Sequence, residues 1–232
     1  MTMRLSKFIA DCGVASRRDA EGLIVSGRVS VNGEIVNTPV FFVDGDENVC
    51  VDGKQIKNHS EIKLYMFHKP LNTMTTTRDP MGRKTIYDVL GKKYRNLKYV
   101  GRLDYRTTGL LLLTNDGDFA RKMCLPDNNI ERVYIATVGK YTERGLNTAR
   151  KGAVVDGIRY RPMKIDVIDD NHLKVTVTEG KKNEVRIVLR HIGSKVQALH
   201  RISYGGISLG NLGVGKISEI DKKTVDLILK NF

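Results

Sequence analysis

The chain has 232 residues, with no tryptophan, three cysteines and five prolines. Without tryptophan, a carbohydrate cleft would lack its most effective stacking side chain. Cys12, Cys50 and Cys124 are scattered and odd in number, which excludes a disulfide framework and a CxxC zinc pattern. Reduced thiols in the cytoplasm are therefore expected. No apolar run approaches the ~18 residues of a membrane span. Asp11 falls too early for a signal-peptide core. Neither GxGxxG, a phosphate-binding P-loop nor HExxH occurs. His59, His68, His172, His191 and His200 show no ligand spacing. No metal is expected, and the histidines read as surface residues or partner contacts.

What the chain does have is positive charge, +13 in total. Such an excess points to a polyanionic partner, nucleic acid before an anionic membrane. Its distribution is uneven. The first sixty residues hold seven basic side chains against eight acidic ones, so the whole surplus lies beyond them. Most phosphate contact is expected from that larger part.

Residues 1–60 read as a small α+β unit. Leu5, Phe8 and Ile9 share one face of a short helix closed by Gly13. Ser16 reads as an N-cap with Asp19 three residues on. Ala20, Leu23 and Ile24 form the apolar face of a second helix that Gly27 ends. Val29 and Val31 alternate into Asn32-Gly33, a strong hairpin signal. Ile35-Val36, Val40, Val43, Val49, Val51 and Ile56 continue the strands. Lys57-Asn58-His59-Ser60 is a polar linker, and residues 61–232 form the second domain.

In that domain Lys63 to Phe67 alternates like a strand and ends at His68-Lys69-Pro70. Residues 71–83 read as an exposed loop, whose Arg78 and Arg83, with Lys84, could grip RNA. Ile86, Val89 and Leu90 suggest a short helix. Residues 118–123 look helical, and 131–138 alternate as a strand. A glycine-lysine turn at Gly180-Lys181 opens a helix running through Leu189 to about Gly193. Val225, Leu227 and Ile228 are expected to be buried by a final helix, Asp221 to Leu229.

The most informative stretch is Gly101-Arg102-Leu103-Asp104-Tyr105-Arg106-Thr107-Thr108-Gly109, followed by the apolar run Leu110 to Leu113 and Thr114-Asn115-Asp116-Gly117. It holds one carboxylate, Asp104, at a turn among cations. An anion oriented in this way suits a nucleophile or a base. It could equally shape the loop by accepting turn N–H groups or pairing with Arg102.

GRLD followed by TxGLLLLTNDG resembles the catalytic motif of pseudouridine synthases of the RsuA/RluB type. RLSKFIADCGVASRRDAEGLIVSGRVSVNG resembles the RNA-binding domain named after ribosomal protein S-four. The resemblance implies a mixed α+β fold, with a largely antiparallel catalytic sheet behind the small RNA-binding domain. It implies isomerisation of a uridine to pseudouridine without a cofactor. It makes Asp104 the catalytic residue, acting as a nucleophile at C1′ or as a base at the sugar. Tyr134, two residues after Arg132, would pack on the target base and is a candidate general base. Glu179-Gly180-Lys181-Lys182-Asn183-Glu184-Val185-Arg186 resembles EGKNREVR, so Arg186 would pair with Asp104 and Val185 would pack beneath the base. The order departs from the family at Lys182 and Asn183. Arg102 and Lys181 join the pocket. Arg4, Lys7, Arg17, Arg18 and Arg28 would meet RNA from the first domain, and Lys69, in a KP-containing loop, from the second. His200-Arg201 and Tyr204 to Gly210 resemble the family's closing strand and loop. The implied partner is ribosomal RNA or a pre-ribosomal particle, met by a monomer away from any membrane. ADCGVASRRDAE is more similar to the RluB type, which implies large-subunit 23S rRNA. The alternatives are 16S rRNA and a non-catalytic assembly factor on the same scaffold.

Overall fold

The computed structural model describes residues 2–57 and 61–230. Most of the linker assigned to 57–60 therefore lies outside the described residues. The chain divides into two compact units: Met1–Lys63 with Asn96–Lys98 and Asn115–Gly117, and Leu64–Arg95 with Tyr99–Thr114 and Asp118–Phe232.

In the first unit, β1 (Met3–Arg4) leads into α1 (Leu5–Asp11) and α2 (Arg17–Val25). Ser16 caps α2 by accepting the Asp19 N–H at 3.2 Å, satisfying one of the orphan donors of a helix start. The hairpin of β2 (Val29–Val31) and β3 (Glu34–Val36) turns at Asn32-Gly33, both at positive φ, as a two-residue turn between twisted strands requires. β4 (Phe42–Val43) pairs with β1, while β5 (Val49–Val51) and β6 (Lys54–Gln55) complete a sheet of order β3-β2-β5-β6. Leu5, Phe8, Ile9, Ala20, Ile24, Val29, Val43 and Val49 form the core. Burying each larger aliphatic side chain contributes about 1.5–3 kcal/mol. Ile35 and Val40, read as strand residues, stay exposed.

The second unit is built on a nine-stranded sheet among the described residues. Its strands are β7 (Leu64–Lys69), β8 (Lys98–Val100), β9 (Thr107–Thr114), β10 (Arg132–Val138), β13 (Lys164–Asp169), β14 (His172–Val177), β15 (Val196–Tyr204), β16 (Ile207–Ser208) and β17 (Ile217–Glu219). β11 (Ala153–Val155) and β12 (Ile158–Tyr160) form a separate hairpin. The main path runs β13-β14-β10-β15-β9-β7-β17, antiparallel except for the β15–β9 pair. The helices are α3 (Ile86–Leu90), α4 (Gly117–Cys124), α5 (Glu143–Arg150), α6 (Glu184–His191) and α7 (Lys222–Leu229). None is long and apolar enough to cross a membrane.

Leu110 to Leu113 are all fully buried in β9. A central strand covered on both faces needs apolar residues at every position, which explains the unbroken run. β10 alternates strictly, turning Arg132, Tyr134, Ala136 and Val138 to one face. Two expectations fail here. Leu227 is 64% exposed, because α7 buries only Val225 and Ile228 of the three apolar residues. His68 and His200 are half-buried rather than on the surface. They sit on β7 and β15, flanking β9, with rings 5.3 Å apart; His68 Nδ1 is 2.7 Å from the Leu212 carbonyl and His200 Nδ1 2.8 Å from Thr108 Oγ1.

Candidate active site

Asp104 sits in the loop between β8 and β9, and four hydrogen bonds fix the backbone there. Thr75 Oγ1 donates to the Leu103 carbonyl at 2.8 Å and accepts the Leu103 N–H at 3.3 Å. The Thr107 N–H donates to the Asp104 carbonyl at 3.0 Å. Lys69 Nζ donates to the Thr107 carbonyl at 2.8 Å. Gly109 then lets β15 approach. A Cβ at this position would lie 2.2 Å from the Arg201 carbonyl oxygen.

The Asp104 carboxylate is half-exposed and has no hydrogen bond or ion pair among the described residues. It lines two cavities. The first, of about 230 Å³, also carries Arg102, Tyr134, Lys181, Val185 and Arg201. The second, of about 570 Å³, carries Thr75, Arg83, Tyr105, Arg106 and Arg186. The fold thus gathers residues from β9's leading loop, β10, α6 and β15 around one carboxylate. The register Tyr134↔Arg201 and Arg132↔Tyr204 stacks guanidinium on ring. Arg201 lies 6.0 Å from the Tyr134 centroid and 4.9 Å from that of Tyr204, and Arg132 lies 5.0 Å from Tyr204. Such cation–π contacts strengthen when desolvated.

Arg186 does not form the direct pair with Asp104 expected of it. Its Nη2 donates to the Arg106 carbonyl at 2.8 Å and its Nη1 to the Val196 carbonyl at 3.2 Å. Burial lowers its pKa, and the charge of Asp104 works in the opposite direction. The guanidinium therefore holds the backbone two residues after Asp104 and meets the carboxylate through space. Arg132 is likewise occupied, donating to the Ile130, Thr178 and Glu179 carbonyls and to the Tyr204 hydroxyl. Lys181 donates to Glu179 Oε2 at 2.5 Å and to the Arg159 carbonyl at 2.7 Å.

Lys69, expected as an RNA contact, is fully buried. β7 carries its side chain inward, to the Pro70 and Thr107 carbonyls. Burial brings its pKa down to about 8, against the pull of Asp104. Arg83 is held in a bidentate pair with Asp79, at 2.7 and 3.1 Å, and Arg28 in one with Asp52, at 2.6 and 2.7 Å. Lys7 lies 3.1 Å from Asp11. Exposed Arg4, Arg17, Arg18 and Arg78 have no side-chain acid partner among the described residues. Sequence reasoning passed over Arg201 and Thr75 as site residues. Counting by twos along β15 from buried Leu199 would have placed Arg201 on the inner face. Nothing local marks Thr75.

The RNA pseudouridylate synthase family model matches residues 63–191, and the S4 domain model matches residues 3–49. A protein of Rickettsia conorii named an uncharacterized RNA pseudouridine synthase is 38% identical, covering 96% of this chain and 98% of its own. The ribosomal large subunit pseudouridine synthase B of Bacillus subtilis is 34% identical, covering 94% of this chain and 91% of its own. A pseudouridylate synthase crystal structure superimposes with a TM-score of 0.71 at 27% identity, covering 97% of this chain and 99% of that one. With these matches spanning nearly its full length, the chain belongs to the RNA pseudouridylate synthase family and joins that enzyme to an S4 domain.

Proposed function

We propose that the protein converts a uridine of large-subunit ribosomal RNA to pseudouridine, using Asp104 as the reacting carboxylate. Residues 1–60 serve as the RNA-binding domain and 61–232 as the catalytic domain, acting in the cytoplasm as a monomer on rRNA or a pre-ribosomal particle. The N1–C1′ bond breaks, the uracil turns, C5 bonds to C1′, C5 gives up its proton and N1 gains one. Atoms and electrons balance within the substrate. A paired target must first be extruded, which costs a few kcal/mol, offset by contacts elsewhere on the RNA.

The observation that carries this reading is the free Asp104 carboxylate on a backbone clamped by Thr75, Lys69 and Arg186. A side chain that spends its oxygens on no protein donor is available to a substrate, while the rigid loop holds it in place. The first cavity has room for one pyrimidine, with the Tyr134 ring as one wall and Val185 as another. Arg102 is exposed and lines both cavities, so it can meet the flanking phosphate. The large-subunit target rests on the likeness to the Bacillus subtilis enzyme. The test is pseudouridine mapping of rRNA from cells carrying wild type or Asp104→Asn. The amide keeps shape but loses charge and nucleophilicity, so turnover should fall at least ~10³-fold. A variant within about tenfold of wild type would remove Asp104 from the chemistry.

A further inference from the structure

Two buried carboxyl groups line the cavity that holds Asp104. Glu179 and Glu184 are 6% and 5% exposed. Every oxygen of Glu179 is occupied: Oε1 accepts the Arg161 N–H at 2.8 Å, and Oε2 accepts Lys181 Nζ. Burial works against its ionised form, but the bonds from Lys181, from Arg161 and from Glu184 hold its pKa low. Glu184 has the opposite surroundings. Its buried Oε1 receives no N–H or O–H among the described residues. Burial raises its pKa, and the charge of Glu179 and the bond to it raise it further. Two carboxyls buried on one cavity, one of them with an oxygen that no donor reaches, disfavour double ionisation and favour a single proton on Glu184, with Glu179 as the anion.

The position of Glu184 gives that proton a task. It is the first residue of α6, followed directly by Val185 on the cavity wall and by Arg186, which holds the Arg106 carbonyl. The N-cap of this helix, Asn183, is in the left-handed region at φ 55° and its side chain makes no capping bond. A helix start without a cap side chain frays unless something else fixes it. We infer that Glu184 is a positioning residue: the proton it shares with Glu179 pins the first turn of α6, and with it Val185 and Arg186, against the Asp104 loop. The inference rests on the reading of Asp104 given above.

Losing the proton places two like charges together in a buried site. The charged groups around Glu184 are Glu179 and Lys181 from the turn after β14, Arg102, Asp104, Lys182 and Arg201 on the same cavity, and Arg186 on its own helix. Arg132 from β10 is spent on the Glu179 carbonyl. Lys181 is already bonded to Glu179 and to the Arg159 carbonyl, so its ammonium is committed before a second carboxylate forms. The α6 start should then separate from the turn and turnover should fall.

Glu184→Gln tests this, because an amide keeps the shape and always donates to Glu179. With full-length protein and an rRNA fragment, the wild-type kcat should fall as pH rises through the pKa of about 8 at Glu184. Glu184→Gln should keep turnover within about threefold of wild type at neutral pH and lose that alkaline fall. Glu184→Ala should lower kcat about tenfold or more with little change in KM. Thermal unfolding gives a readout separate from activity. Glu184 is protonated in the folded state between its ordinary carboxylate range and about 8, so wild-type stability should decline across that window. The Gln variant should not share the decline. An alkaline limb identical in wild type and Glu184→Gln would overturn the inference, as would parallel stability curves. A Gln variant as inactive as Asp104→Asn would also overturn it, by making the Glu184 carboxyl part of the chemistry. Were Asp104→Asn active instead, the Asp104 reading would fail while the stability difference still reported the shared proton.

Discussion

Replacing Gly109 with alanine should damage this protein more than any other single methyl group added in the Asp104 motif. Gly109 has φ +103°, a region that L-residues occupy only at a cost of roughly 1–3 kcal/mol. The added Cβ would lie 2.2 Å from the Arg201 carbonyl oxygen, 2.7 Å from its nitrogen and 2.9 Å from its carbonyl carbon. All three are backbone atoms of β15, which pairs in parallel with β9 at Gly109↔Arg201. A flexible side chain could step aside, but a ladder strand cannot. The Arg201 side chain also ties the two strands, its Nε donating to the Leu110 carbonyl at 2.7 Å. Relief therefore requires parting β9 from β15, losing ladder bonds worth about 1 kcal/mol each. Adding strain and broken ladder gives a destabilisation of about 3–5 kcal/mol, a large share of the stability of an ordinary domain. Urea unfolding should show this as a lower midpoint, and the fraction still folded should turn over slowly because Asp104 lies five residues upstream. A Gly109→Ala protein destabilised by less than about 1 kcal/mol and fully active would refute the account.

For Tyr134→Phe, rRNA affinity should stay within about threefold while kcat falls by about 10²-fold, since only the hydroxyl is removed; single-turnover kinetics would check it, and unchanged kcat would leave Tyr134 as a stacking wall alone. Lys69 has a folded pKa of about 8, below the ordinary lysine value of 10.5, so the unfolded chain binds more protons between them. Its contribution to stability should rise with pH across that window and be lost as pH falls through 8. Unfolding curves of wild type and Lys69→Met should therefore diverge in wild type's favour from about pH 8 to 10.5, and parallel curves would argue against the buried ammonium. Arg17→Glu with Arg18→Glu should weaken rRNA binding and flatten the slope of log K against log salt by about one for each phosphate that is no longer neutralised. Filter binding at several salt concentrations that returned the wild-type slope would remove both arginines from the RNA interface.

The features legible in the sequence are those settled within a few residues of chain. Ser16 accepts from Asp19, Asp221 accepts from Thr224, and Asn32-Gly33 closes a hairpin, because caps and tight turns are decided by side chains three or four positions apart. The run Leu110–Leu113 and the alternation from Arg132 likewise carry their environment with them. Residues 140–178 form α5, β11, β12, β13 and β14; their local signals, the Thr142 cap of α5 and the Asp156-Gly157 turn of the β11–β12 hairpin, are of the same kind and went unread. Only the tertiary structure decided what each charge does. Arg28, Arg83 and Lys69 read alike as basic residues, but the fold gives the first two to Asp52 and Asp79 and buries the third beneath the Asp104 loop. Arg186 is close to Asp104 through space, yet its bonds go to main-chain carbonyls. Glu179 and Glu184 look like solvated acids in a lysine-rich turn and become a buried pair. A side chain's partner and its desolvation depend on strands that meet across ninety residues, as Gly109 meets Arg201, and periodicity along the chain carries no record of that crossing.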